Sequence, residues 1–82
     1  MSSRFFELAK KLSTRPYHVV TAKSETTDGH PIFNARTLEI EGCIGQGYSS
    51  EQAIADLRNA LVDYIESLLE DGLEVPEPAQ LL

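Results

Sequence analysis

The stretch from Gly42 to Pro78 most constrains what this chain can fold into. It starts with a short glycine-rich segment, Cys43 to Tyr48, in which Gly45 and Gly47 alternate onto the same face as Cys43. A strand face with almost no side chain invites close approach, and a helix is the usual occupant. Ser49-Ser50-Glu51-Gln52 then has capping-box spacing, with the Ser49 hydroxyl on the Gln52 N–H and the Gln52 side chain back on Ser49. The helix so opened runs to about Asp71, where Gly72 is placed as its C′ residue and Leu73 as the apolar contact of a Schellman stop. Ile54, Leu57, Leu61, Tyr64, Ile65 and Leu68 form its central stripe. Ala53 and Ala60 widen the stripe on one side, Val62 and Leu69 on the other. The apolar arc reaches roughly 200°, against about 100° for an ordinary surface helix. One sheet cannot cover it, so the helix needs a second body, either the first helix of the chain or another subunit. Arg58 lies inside the arc. It either snorkels along the apolar surface or pairs with an acid across an interface.

Upstream, Phe5, Leu8 and Leu12 with Ala9 make the apolar stripe of a first helix from about Ser3 to Leu12, capped by Ser2 or Ser3. Lys10 and Lys11 suit the dipole of its last turn, and Pro16 ends it. At about ten residues this helix is not stable alone. Its phenylalanines must dock, on its own sheet or on a neighbouring subunit. Tyr17 to Ala22 is a strand pattern in which neither face is cleanly polar, so at least partial cover on both faces is expected. Asp28-Gly29 supplies the positive φ angles of a hairpin turn, and Ile32 to Thr37 returns as the second strand. Leu38 to Gly42 is a bend, on which Glu39 and Glu41 could share a face. Pro76 and Pro78 keep the C-terminal exit extended. The final Leu81-Leu82 is either disordered or docked on a partner.

Eighty-two residues make one domain with a thin core, burying about 60–65% of the unfolded surface, and such domains often gain stability by oligomerising. One cysteine excludes an internal disulfide and points to a reducing compartment. No apolar run could span a membrane and no signal peptide is evident, so a cytoplasmic protein is expected. A net charge of −6 argues against nucleic acid as the default partner. Arg4, Lys10, Lys11 and Arg15 cluster early, and Glu51, Asp56, Asp63, Glu66, Glu70, Asp71, Glu74 and Glu77 cluster late. This asymmetry is either solubility design on solvated faces, or a basic face and an acidic face that meet different partners or each other.

Catalytic chemistry is not legible. The glycines do not open a helix with phosphate-loop or dinucleotide spacing. His18, His30 and Cys43 have no metal-ligand spacing, and Cys43 has no histidine placed as its base. His18 reads as a strand residue, His30 as a hairpin residue, and Cys43 as a small buried one. No metal, cofactor or catalytic residue is assigned.

Tyr17-x-Val19, Asp28-Gly29, Gly42-Cys43-x-x-Gln46-Gly47, Ser49-x-x-Gln52-Ala53 and Glu70-Asp71-Gly72-x-x-x-Pro76-x-Pro78, in this order and spacing, resemble the N-terminal domain of HicB-type antitoxins. The resemblance covers about Tyr17 to Pro78. It implies a partial ribonuclease-H-like α+β fold: a three-stranded antiparallel sheet packed by one long helix, here with an extra N-terminal helix. Residues 1–15 would be that helix and its link, 16–78 the βββα domain and 79–82 a tail. It also implies a partner, since family members bind and block HicA, a small mRNA-cleaving toxin, and many are oligomers. The chain departs from the family at Leu38 and Glu41, where prolines are usual. It also lacks the later strand and the DNA-binding module, which argues against DNA binding in the family manner. The solo form of the domain is the better match. Where the ribonuclease fold carries metal-binding acids, the first strand has His18, Val19, Val20 and Thr21, which argues against nuclease activity.

The expected function is therefore a HicB-like antitoxin or orphan relative, not an enzyme, that neutralises a small basic HicA-like toxin as a homo-oligomer, dimer or tetramer. The alternative is a toxin-independent structural or regulatory oligomer of the same fold. Candidate partner contacts are the acids Asp63, Glu66, Glu70, Asp71 and Glu74. Candidate oligomer contacts are Phe5, Leu8, Leu12, Arg58, Val62 and Leu69.

Overall fold

A computed structural model describes residues 4–79. Helix α1 (Phe6–Ser13) leads into strands β1 (Val19–Glu25), β2 (Pro31–Thr37) and β3 (Ile44–Gly47), and helix α2 (Ser50–Glu70) follows. The sheet is antiparallel in the order β1-β2-β3. The fold is α+β, with the long helix packed on a three-stranded antiparallel sheet as expected.

The glycines of β3 set where that helix lies. Gly45 stands opposite Ala35, and Gly47 opposite Phe33, on the face that α2 covers. A Cβ built on Gly45 would fall on the Ala53 carbonyl oxygen and 2.7 Å from the Leu57 Cα. One built on Gly47 would lie 2.8 Å from the Ala53 backbone nitrogen. Backbone packs on backbone, so α2 is drawn over β3 and β2 and touches β1 little. The cover on the two faces of the first strand is therefore only partial. All seven residues of β1 are exposed, Val19 by 43% and Val20 by 38%.

Helix α2 has the two-sided cover that its wide arc demands. Ala53, Leu57, Leu61 and Ile65, four apart, form its buried line. The sheet packs on one side and α1 on the other, so the second body belongs to the same chain. Tyr64, expected in the centre of the stripe, is instead 37% exposed at its edge. The core joins Tyr17, Ala35, Ile40 and Cys43 to Ala53, Leu57 and Leu61. Cys43 is buried, and burial pushes its thiol up.

The ends of α2 follow their signals with one change. Ser49 Oγ accepts from the Gln52 N–H at 3.1 Å, but the Gln52 side chain accepts from the Tyr48 N–H at 2.9 Å, one residue earlier than the reciprocal bond expected. At the far end the Leu73 N–H reaches the Leu68 carbonyl at 2.9 Å, and Gly72 has φ +71°. This is a Schellman stop. Leu73 adds little apolar contact to it, being 57% exposed. Helix α1 starts at Phe6 with Phe5 in the capping position and no side-chain cap. Ser2, Ser3 and Leu81-Leu82 lie outside the described residues.

The hairpin also differs. Only Gly29, at φ +82°, takes a positive φ; Asp28 does not. The Gly29 N–H bonds the Thr26 carbonyl and the Thr26 N–H bonds the His30 carbonyl. The result is a longer loop built on an ordinary turn that ends in a left-handed glycine, not a two-residue turn with both angles positive.

Replacing Gly45 by alanine drives a methyl group into the α2 backbone, which cannot yield as a side chain can. Urea unfolding should show G45A destabilised by about 3 kcal/mol or more, whereas alanine at the exposed Ser24 should change stability by less than about 0.5 kcal/mol.

Candidate functional site

Two surfaces carry the chemistry of this molecule, one acidic and one where both ends of the fold are tied together. The tie centres on Glu39. Thr37 ends β2, and its hydroxyl oxygen accepts from the Ile40 N–H at 3.3 Å, tightening the bend. Ile40 is buried and Glu41 exposed, so the two glutamates diverge instead of sharing a face. The Glu39 side chain is only 5% exposed. It accepts from the His18 backbone N–H at 3.0 Å, and its other oxygen lies 2.7 Å from His18 Nδ1. That second oxygen also accepts from the Ala79 N–H at 2.9 Å. Beside this group the Tyr17 hydroxyl donates to the Pro76 carbonyl at 2.6 Å. The start of β1, the bend and the C-terminal exit thus meet at one carboxylate. Tyr17 and His18 precede the strand instead of opening it, and serve as anchors for this junction.

Burial alone would raise the Glu39 pKa. The bonds from His18 and Ala79 outweigh it and hold the carboxyl at about 2. No sequence signal pairs His18 with Glu39, which stand 21 positions apart.

The acidic surface lies on the outer side of α2. Asp63, Glu66 and Glu70 fall within about 60° of one another around the helix axis. Asp63 and Glu70 are exposed and Glu66 is half-buried. Asp71 is the C-cap, and Glu74 stands exposed on the extended exit. The structure therefore brings three of the five candidate contacts onto one face and places the other two just past the helix end. No basic residue occupies the last turn of α2. Glu70 and Asp71 sit at the negative end of the helix dipole, where carboxylates cost stability.

The candidate oligomer contacts are distributed over α1 and the adjoining side of α2. Phe5, Leu12, Val62 and Leu69 are half-buried, and Leu8 and Arg58 are exposed. Among the described residues no group of three or more His, Cys, Asp or Glu side chains is placed to hold a metal ion. No helix among the described residues is long and apolar enough to cross a membrane.

The molecule is thus a small α+β domain with an acidic helix face and a pinned C-terminal exit. It is 33% identical over 60 residues to UPF0150 protein Ta0767 of Thermoplasma acidophilum, a match that takes in 73% of this chain and 81% of that protein. The chain belongs to the UPF0150 family. No family model matches the sequence and no solved structure matches the chain.

The Glu39 tie gives a pH prediction. A carboxyl held below its unfolded value stabilises the fold above that unfolded value, near 4.5, and the contribution disappears as pH falls through about 2. Glu39→Gln should cost about 1–2 kcal/mol at neutral pH, and the difference from wild type should shrink steadily as the pH of the unfolding series is lowered through that window.

Proposed function

We propose that this protein is a HicB-like antitoxin, or an orphan relative of one, whose role is to bind and neutralise a small basic HicA-type mRNA-cleaving toxin in the cytoplasm. It works as a binding module and not as an enzyme. The observation that carries the reading is the acid at the C-terminal end of α2. Glu70 and Asp71 oppose the helix dipole with no basic residue to offset them, so the helix carries a stability cost that a positively charged partner would reverse. A basic RNA-binding surface is such a partner, and charge complementarity of this kind chiefly speeds encounter and selects the partner. The sheet-and-helix arrangement and the membership of the UPF0150 family support it. So does the resemblance in Tyr17 to Pro78.

A second reading, a regulatory or structural oligomer without a toxin, is favoured by β1. This edge strand is exposed along all seven residues. An open strand edge is a template for another chain, and a dimer or tetramer would cover it. The two readings are compatible, and an oligomer is expected under both.

If a small basic toxin is encoded next to its gene, co-expression of the two should restore growth and yield a complex. In that complex Glu70→Lys should weaken binding about tenfold or more at low salt, with less effect at high salt, while the free variant becomes about 0.5 kcal/mol more stable. Unchanged toxin affinity in E70K and in a Glu74→Lys companion would remove the acidic surface from the interface, and no growth rescue by wild type would end the antitoxin reading.

A further inference from the structure

The link between α1 and β1 and the adjoining side of α2 enclose a groove of about 430 Å³. That volume is in the range of small-ligand sites, which run from about 300 to 1,000 Å³ and combine an apolar lining with a few polar groups. Pro16, Tyr17, Val19, Leu57, Leu61 and Val62 give the apolar part. The polar part is one-sided. Arg15 and Arg58 both line the groove and no Asp or Glu does, although the chain has thirteen acids against seven bases.

Both guanidiniums are uncommitted: neither is hydrogen-bonded or ion-paired among the described residues. Arg15 Nη1 is enclosed and has no acceptor in the protein. A buried donor without an acceptor is costly, and its persistence calls for an explanation. The Arg15 backbone is fixed on both sides. Its N–H bonds the Leu12 carbonyl at 3.1 Å, and its own carbonyl accepts from the Tyr17 N–H at 2.7 Å. The neighbouring hydroxyls do not compete as donors, since Ser13 Oγ donates to the Lys10 carbonyl and Thr14 Oγ1 to the Lys11 carbonyl. The remaining side chains of the lining that carry N–H donors are Arg15, Arg58 and Asn59. Guanidinium forks match carboxylate and phosphate geometry, and apolar walls suit a short hydrocarbon body.

We propose that this groove is a binding site for a small organic oxyanion, a carboxylate or phosphate on a short apolar body, held by Arg15 and Arg58. The ligand meets the part of the Arg15 fork that the groove reaches, Nη1 itself being enclosed, and offsets the positive charge that Arg15 and Arg58 bring to one groove. The long chain of a nucleic acid is disfavoured there by the net charge of −6 around it. This site is separate from the acidic surface on the outer side of α2, so it stands or falls independently of the antitoxin reading.

The test titrates the full chain with sodium butyrate, succinate and inorganic phosphate, each against sodium chloride at matched ionic strength, with unfolding midpoint and amide NMR shifts as readouts. At least one anion should bind saturably, raise Tm by about 5 °C or more at ten times its Kd, and shift the amides of Arg15, Leu57, Arg58 and Asn59. Which anion does so identifies the head group. Arg58→Gln and Arg15→Gln should each raise Kd about tenfold or more, and Arg36→Gln, on the opposite face of the sheet, should leave it unchanged. Arg58 is exposed, so R58Q keeps the test valid if R15Q fails to fold. Shifts no larger than those in chloride, or binding that survives R58Q, would overturn the proposal. So would light scattering in which R58Q lowers the molecular mass of the wild-type particle while no free anion binds, because an acid of a second copy would then be the occupant.

Discussion

The contact on which the rest of this structure depends is the approach of β3 to α2 with no side chain between them. Strand and helix backbones meet at Gly45 and Gly47, closer than any β-carbon would allow. The position of the helix follows from this contact. Ala53, small and fully buried, continues the fit from the helix side. Leu57 and Leu61 then reach the core formed with Ala35, Cys43 and Ile40. The other side of the helix is left facing α1, so an N-terminal segment too short to be stable alone acquires a docking surface. The cost falls on β1, which the displaced helix no longer covers.

Much of this was legible in local signals. Gly45-x-Gly47 announced a close approach, Ser49 and Gln52 a helix start, and Gly72 a helix stop, because each depends on geometry within a few residues. The width of the apolar arc on α2 correctly required two covering bodies, though the sequence left open whether the second was α1 or another subunit. Lateral placement was not legible. Val19 and Val20 read as covered at least in part, but how far is set by where the helix lies, and that was fixed by glycines more than 20 positions later. The Asp28-Gly29 turn failed more narrowly: loop length, which the dipeptide alone does not specify, put only Gly29 in the left-handed region.

The candidate surfaces divide the same way. The acids on α2 could be read from helical periodicity, and three of them do share a face. The junction at Glu39 could not be read, because its partners come from the start of β1 and the C-terminal exit. Arg15 and Arg58 are likewise 43 positions apart in the sequence (58 minus 15), and only folding brings them to one groove. Charge counting saw an acidic chain; the structure separates that charge into an acidic outer helix face and a small cationic recess.

The bond from the Tyr17 hydroxyl to the Pro76 carbonyl spans 59 positions. A contact of that separation carries the largest ordering cost, and it forms late, once the elements between its ends have assembled. Sheet and helices must already be in register before Tyr17, Glu39 and the segment Pro76 to Ala79 can meet. The C-terminal exit is therefore an indicator of completed folding: it is held down only in molecules whose interior is finished. Its release would free the Tyr17 hydroxyl and one acceptor position on the Glu39 carboxylate together.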